Sequence, residues 1–175
     1  SLNAKVFDYG QNIVSIEIDT KGQGENIPNK QIDKDTFKVF AKGTLPKDTG
    51  IVFVRMDIEG HPSVRAHIDN VTNTMRATTL ENGEAKVFTV EHVMAAFSAM
   101  NIDNCYIEMD SPEPAVGDGS SAIFVNLIEK AGIEKQIAPR HVYKVTRSHA
   151  VYDGDRFIVI LPYDGYRVTF TSINS

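Results

Sequence analysis

The residues of this chain best suited to chemistry are Glu91 and His92, a carboxylate and an imidazole in adjacent positions. A carboxylate can take a proton from water, and a neutral imidazole nitrogen can bind a metal ion, so the pair is a candidate for assisted hydrolysis. Each residue also has an ordinary reading. An acid in the first turn of a helix stabilises the helix dipole, and a histidine beside it is commonly solvated or hydrogen-bonded. The surroundings have to decide.

Those surroundings predict a helix over residues 90 to 100. Val90, Val93, Met94 and Phe97 fall at the i, i+3, i+4, i+7 positions of one apolar stripe. Thr89 is the expected N-cap, and Asn101 is expected to take the left-handed conformation that ends the helix. Glu91 and His92 then lie roughly 100° apart around the axis, outside the stripe, so both can face one site at the helix mouth.

Stepping along the chain, alternation at Val14, Ile16 and Ile18 predicts one strand, and Phe37 and Val39 a second. The polar stretch from Thr20 to Lys34 between them reads as a hairpin connection. It carries Gly22 and Gly24 but no Gly-Lys-Ser/Thr, so it is not a phosphate-binding loop. Strands are predicted at Ile51 to Ile58 and Val64 to Ile68, joined by the turn Glu59-Gly60-His61-Pro62, and again at Asn104 to Met109. Lys86-Val87-Phe88 leads into the first helix. A second helix follows Gly117-Asp118-Gly119-Ser120-Ser121, with Asp118 or Ser120 capping it, Ile123, Phe124, Leu127, Ile128 and Ala131 facing inward, and Gly132 as its stop. Three further strands are predicted at Val142 to Thr146, Arg156 to Leu161 and Tyr166 to Thr171. The fold class expected is α+β, a two-layer sandwich of short strands with two amphipathic helices and extra strands at both ends.

Composition bounds the function. The 175 residues carry 42% hydrophobic and 23% charged side chains and a net charge of -5, with no basic block to meet a nucleic-acid backbone. No apolar run approaches membrane-spanning length, and nothing marks the start for export. The lone cysteine, Cys105, cannot form an internal disulfide and sits in an apolar run, which suits a core thiol in a reducing cytoplasm.

The stretch from about Asp48 to Thr171 resembles the UDP-3-O-acyl-N-acetylglucosamine deacetylases, the zinc amidohydrolases of lipid A synthesis. The matching phrases are Asp48-Thr49-Gly50-Ile51-Val52-Phe53, Asp69-Asn70-Val71 with Thr74-Met75-Arg76-Ala77-Thr78-Thr79-Leu80, and Thr89-Val90-Glu91-His92. They continue with Asn101-Ile102-Asp103-Asn104, Gly117-Asp118-Gly119-Ser120-Ser121 with Phe124, and Pro162-Tyr163-Asp164-Gly165-Tyr166. The resemblance implies two similar α+β domains with the active site between them. It implies His92 as a zinc ligand, Glu91 as the general base, and Met75, Arg76, Ala77, Thr78 and Thr79 as cleft lining. Asp118, Gly119 and Ser120 are expected to fix a loop and helix start rather than to touch substrate.

The resemblance further implies a zinc cofactor and a UDP-linked acylated amino sugar as substrate, once a second domain completes the site. The family's other zinc ligands are a His and an Asp one helical turn apart, expected in that second domain, so this chain alone is expected to hold zinc weakly and to be inactive. Residues 1 to 43 depart from the family, lacking the Gly-Leu-His-Ser/Thr-Gly turn of its opening hairpin. They read as a β-rich segment of a natural variant, a fusion or a recombined chain. Residues 44 to 140 read as the first deacetylase-like domain, and 141 to 175 as the opening strands of a second, whose uncovered apolar face is expected to promote self-association. The contrasting reading is a chain that keeps the fold without the catalysis.

Overall fold

The computed structural model describes residues 16–17, 37–39, 48–133, 135–136 and 144–172. They fall in two compact units, residues 1–139 and 140–175. In the first unit the strands are β1 (Ile16–Glu17), β2 (Phe37–Val39), β3 (Ile51–Arg55), β4 (Ser63–Arg65), β5 (Val71–Asn73), β6 (Thr79–Asn82), β7 (Ala85–Val87) and β8 (Cys105–Met109). The helices are α1 (Glu91–Ala99) and α2 (Ala122–Ala131). An α+β fold is therefore present, as the alternation of short strand patterns with two helical stripes predicts.

The main sheet has the order β1-β2-β8-β3-β4, in which β3 and β8 are parallel and the other pairs antiparallel. A parallel pair needs a crossover, and the chain between β3 and β8 supplies one that includes α1. β3 and β8 each alternate buried with half-buried residues, so Ile51, Phe53, Cys105, Ile107 and Met109 share the covered face. Val93, Ala96 and Phe97 of α1 and Phe124, Leu127 and Ile128 of α2 join them in one core. A smaller antiparallel meander, β5-β6-β7, adds Leu80, Ala85 and Val87 to that core. β2 pairs with β8, so part of the segment before residue 43 is a strand of the main sheet. The rest of that segment's predicted strands, Asn12 to Ile18 and Asp35 to Ala41, lies outside the described residues.

Helix α1 ends as predicted. Asn101 takes φ 57, its N–H donates to Ser98 O at 3.2 Å, and the N–H of Ile102 donates to Phe97 O at 2.9 Å. Those two bonds make a Schellman motif, with buried Ile102 and Phe97 as its hydrophobic contact. Gly132 ends α2 with φ 82, its N–H donating to Ile128 O at 2.9 Å.

Several predicted strands are corrected. β3 stops at Arg55 and β4 at Arg65, because residues 56–60 turn and Ile68–Asn70 form one turn of 3-10 helix. The meander strands β5, β6 and β7 were not predicted. In the second unit, β9 (His149–Asp153) and β10 (Arg156–Ile160) form an antiparallel hairpin across the two-residue loop Gly154-Asp155. Gly154, at φ 58, supplies the positive φ such a turn demands. β9 was not predicted, Lys144–Thr146 is irregular instead of strand, and so is Tyr166–Thr171. An apolar alternation forms a strand only where another strand completes its ladder, and neither stretch has one among the described residues. No helix of the described residues is long and apolar enough to cross a membrane.

Candidate functional site

The approach to Glu91 and His92 is set by backbone. After β7, the N–H of Phe88 donates to Pro112 O at 2.8 Å, which ties the chain to the loop after β8. Thr89 then adopts φ 53, a left-handed conformation that is an outlier for a β-branched residue. Val90, buried at 4% exposure, is the N-cap of α1, and no side chain caps it. The predicted Thr89 cap is thus corrected: the core draws in Val90, and the reversal this requires falls on Thr89.

The helix presents Glu91 to solvent and leaves His92 half-buried, while Val93, Ala96 and Phe97 enter the core. Glu91 is not a free acid at a helix end. Its Oε1 accepts a hydrogen bond from the backbone N–H of Thr78. Thr78 closes the loop between β5 and β6, where Met75 and Arg76 are exposed and Ala77 and Thr78 half-buried. Thr79 is placed differently, buried at the start of β6.

The loop before α2 is held by its own side chains. Asp118 Oδ1 accepts from the N–H and the hydroxyl of Ser120, at 2.9 and 2.7 Å, and Ser120 Oγ accepts from the N–H of Ala122 at 3.2 Å. The N-cap position itself is Ser121, whose side chain makes no cap bond, so Asp118 braces Ser120 and Ser120 serves the first helical N–H. Gly119, between them, takes φ 80, which a side chain would disfavour. The hydroxyl of Ser120 holds the Asp118 carboxyl below the ordinary carboxylate range, its N–H adds to this, and the nearby His92 imidazole contributes a smaller charge effect. The structure joins Thr78 to Glu91, the residue before His92. The Thr78 N–H was not foreseen, because a backbone donor has no residue-type signal.

A catalytic zinc generally needs three protein ligands and an open position. Among the described residues no group of three His, Cys, Asp or Glu side chains is placed to hold a metal, so His92 offers one donor and the described residues alone do not form a catalytic zinc site. The sequence does contain one His-x-x-x-Asp spacing, His149 to Asp153. It lies in β9, where four residues span about 13 Å, so the two side chains do not converge as they would over a helical turn.

The comparisons with known proteins bear on this geometry. The family model UDP-3-O-acyl N-acetylglycosamine deacetylase (LpxC) matches residues 41–174. Over 125 residues the chain is 43% identical to the UDP-3-O-acyl-N-acetylglucosamine deacetylase of Acidithiobacillus ferrooxidans and 44% identical to that of Pseudomonas entomophila. Each match takes in 71% of this chain and 41% of the relative. The enzyme of the same name from Thioalkalivibrio sulfidiphilus is 43% identical over 126 residues, 72% of this chain and 41% of its own. The chain thus spans about two fifths of the length of the curated relatives it matches.

Proposed function

Because the chain belongs to the UDP-3-O-acyl N-acetylglycosamine deacetylase family, we propose that it supplies the general base and one metal ligand of a deacetylase that removes acetate from a UDP-linked, acylated N-acetylglucosamine. The observation that carries this reading is the exposed Glu91 carboxylate, fixed through Oε1 beside a half-buried His92 at the mouth of α1. A carboxylate so placed can take the proton of a water as its oxygen bonds to the amide carbon. It can return that proton to the amine nitrogen as the carbon–nitrogen bond breaks, releasing acetate. His92 would provide one nitrogen to a zinc ion, which when bound lowers the pKa of water and polarises the carbonyl. The remaining ligands would come from a second domain, which residues 141–175 would open. The chain alone would then lack turnover and act in the cytoplasm once completed.

The other reading is a chain that keeps the fold without catalysis. One experiment separates them. The chain, alone and joined after Thr171 to the second domain of a family member, is assayed for acetate release from the UDP-linked substrate and for bound zinc. The catalytic reading expects turnover and zinc only in the joined protein, a loss of about 100-fold or more in kcat for Glu91→Ala, and loss of zinc for His92→Ala. Turnover by the joined protein that ignores Glu91→Ala would refute the general-base role. Zinc retained in His92→Ala would refute the ligand role, and a joined protein with no activity would favour the fold-retaining reading. Light scattering on the same samples tests the expected self-association through the apolar strand β10, where Phe157 and Val159 on one face and Ile158 and Ile160 on the other are exposed.

A further inference from the structure

The loop that reaches Glu91 is built rather than slack. Asn73 and Thr79 are paired across the β5–β6 hairpin, so residues 74–78 form its loop. The loop opens with an Asx turn in which Asn73 Oδ1 accepts from the N–H of Met75 at 2.8 Å. Arg76 then takes φ 65, and the loop closes on Thr78, whose N–H points out of the strand ladder to Glu91. Buried Thr79 and Leu80 anchor it to the core immediately afterwards.

Two left-handed residues therefore flank a single hydrogen bond, Arg76 on the donor side and Thr89 on the acceptor side. Neither is glycine. A side chain in that conformation costs about 1–2 kcal/mol, and such cost is tolerated where surrounding structure holds a particular geometry. What the two turns hold here is the approach of Thr78 to Glu91.

We propose that the Thr78 backbone N–H is a positioning group for Glu91: it fixes Oε1 so that Oε2 is left to accept the proton, and the Asn73–Thr78 loop serves to present that N–H. The inference rests on the reading of Glu91 as general base. A surface glutamate samples several rotamers, and ordering one costs up to about 2 kcal/mol. A charge-assisted bond from a fixed amide makes that restriction in advance, before substrate arrives. Thr78 acts through Glu91 and is not itself catalytic. Its side chain is unnecessary to the argument, since the donor is backbone.

The test has one readout without turnover and one with it. Amide hydrogen exchange, resolved at Thr78, is measured on the 175-residue chain as wild type, Glu91→Gln and Glu91→Ala. The glutamine keeps an acceptor oxygen, so protection at Thr78 is expected to survive in Glu91→Gln and to fall about tenfold in Glu91→Ala. Kinetics are then measured on the chain joined to a second deacetylase domain, as wild type, Asn73→Ala and Asn73→Asp. Losing the Asx acceptor in Asn73→Ala is expected to lower kcat about fivefold with KM held within about twofold, and Asn73→Asp, which keeps an acceptor oxygen, to restore it. Equal exchange at Thr78 in wild type and Glu91→Ala would overturn the bond. An Asn73→Ala protein that loses KM rather than kcat, or that Asn73→Asp does not rescue, would overturn the positioning role. Turnover indifferent to Glu91→Ala would instead overturn the base assignment, whatever the exchange shows, so the two failures are told apart.

Discussion

Thr89 offers the sharpest test of how the helix mouth is built, because two accounts of it predict different rankings of the same three variants. As an N-cap its hydroxyl would stabilise α1, and Thr89→Val would cost about 1 kcal/mol. In the structure Val90 is the N-cap, no side chain caps the helix, and Thr89 stands at φ 53 as a half-buried, β-branched residue in left-handed conformation. That conformation costs about 1–2 kcal/mol. Thr89→Asn keeps a polar side chain of a type that tolerates the region, and relieves much of the cost. Thr89→Gly relieves all of it but returns about 0.5–1 kcal/mol through the freedom glycine gains in the unfolded chain. Both are expected to stabilise by about 0.5–1 kcal/mol, while Thr89→Val, which keeps the branch and loses an uncapping hydroxyl, changes stability by less than about 0.5 kcal/mol. For a protein of this size that corresponds to a rise of about 1–4 °C in Tm for the Asn and Gly variants. Urea melts with matched m-values, followed by circular dichroism, check the ranking. A loss of about 1 kcal/mol in Thr89→Val, with Thr89→Asn and Thr89→Gly within a few tenths of a kcal/mol of wild type, would refute the strained-turn account and restore the cap.

Other positions carry separate expectations. Arg55 is buried at 7% exposure and reaches Asp57 through two bonds of 2.8 and 2.6 Å and the carbonyl of Lys86 at 2.6 Å. The Arg55 hydrogen bond holds the Asp57 carboxyl below its ordinary range, so this pair stabilises fully above about pH 4 and is lost as pH falls through the lowered folded-state value. Asp57→Asn is therefore expected to cost about 2 kcal/mol at pH 7, and the gap from wild type to narrow in acid; a gap that stays flat in melts from pH 7 to pH 2 would refute the pairing. Phe53 is fully buried between sheet and helices, and Phe53→Ala is expected to cost about 3–5 kcal/mol in the same melts. At Gly50, with φ 74, an added Cβ would meet Arg65 Nε at 2.8 Å, so Gly50→Ala is expected to cost about 1–3 kcal/mol, unlike Gly83→Ala, whose Cβ meets nothing within 4 Å and which carries the backbone cost alone.

How far the fold could be read from the residues depended on whether the signal was local. α1 and α2 were legible because each keeps an apolar stripe over nine or ten residues and closes with Asn101 or Gly132. β3 and β8 were legible because their buried alternation sits in the centre of the sheet. β5, β6 and β7 are three or four residues long and carry Thr72, Asn73, Glu81 and Lys86, too short and polar for alternation to announce them. Their pairing instead leans on cross-strand contacts such as Lys86 to Glu81 at 2.6 Å, which exist only once the meander has formed. The strand predicted at Tyr166 to Thr171 failed for the converse reason: an apolar pattern is necessary for a half-buried strand but supplies no partner.

The same distinction runs through the candidate site. Glu91 and His92 could be singled out as candidates because their chemistry resides in side chains, which the sequence spells out directly. Asp118 and Ser120 were legible as a turn, since short oxygen-bearing side chains beside Gly117 and Gly119 bond their own backbone. Thr78 and Thr89 were not, because what each contributes is backbone: an N–H at one, a positive φ at the other. A threonine letter carries neither fact, and at position 89 it suggests the wrong one, since threonine is a common cap and a rare left-handed residue. Candidate groups that are side chains can thus be named from sequence while the backbone around them stays hidden. The reason is energetic as well as informational. The left-handed turns at Arg76 and Thr89 each carry a conformational cost of about 1–2 kcal/mol, offset by the buried residues that follow them, Thr79 and Leu80 after the first and Val90 after the second. The residue type at each turn does not announce its conformation, and the anchors, which read only as core, hold it in place.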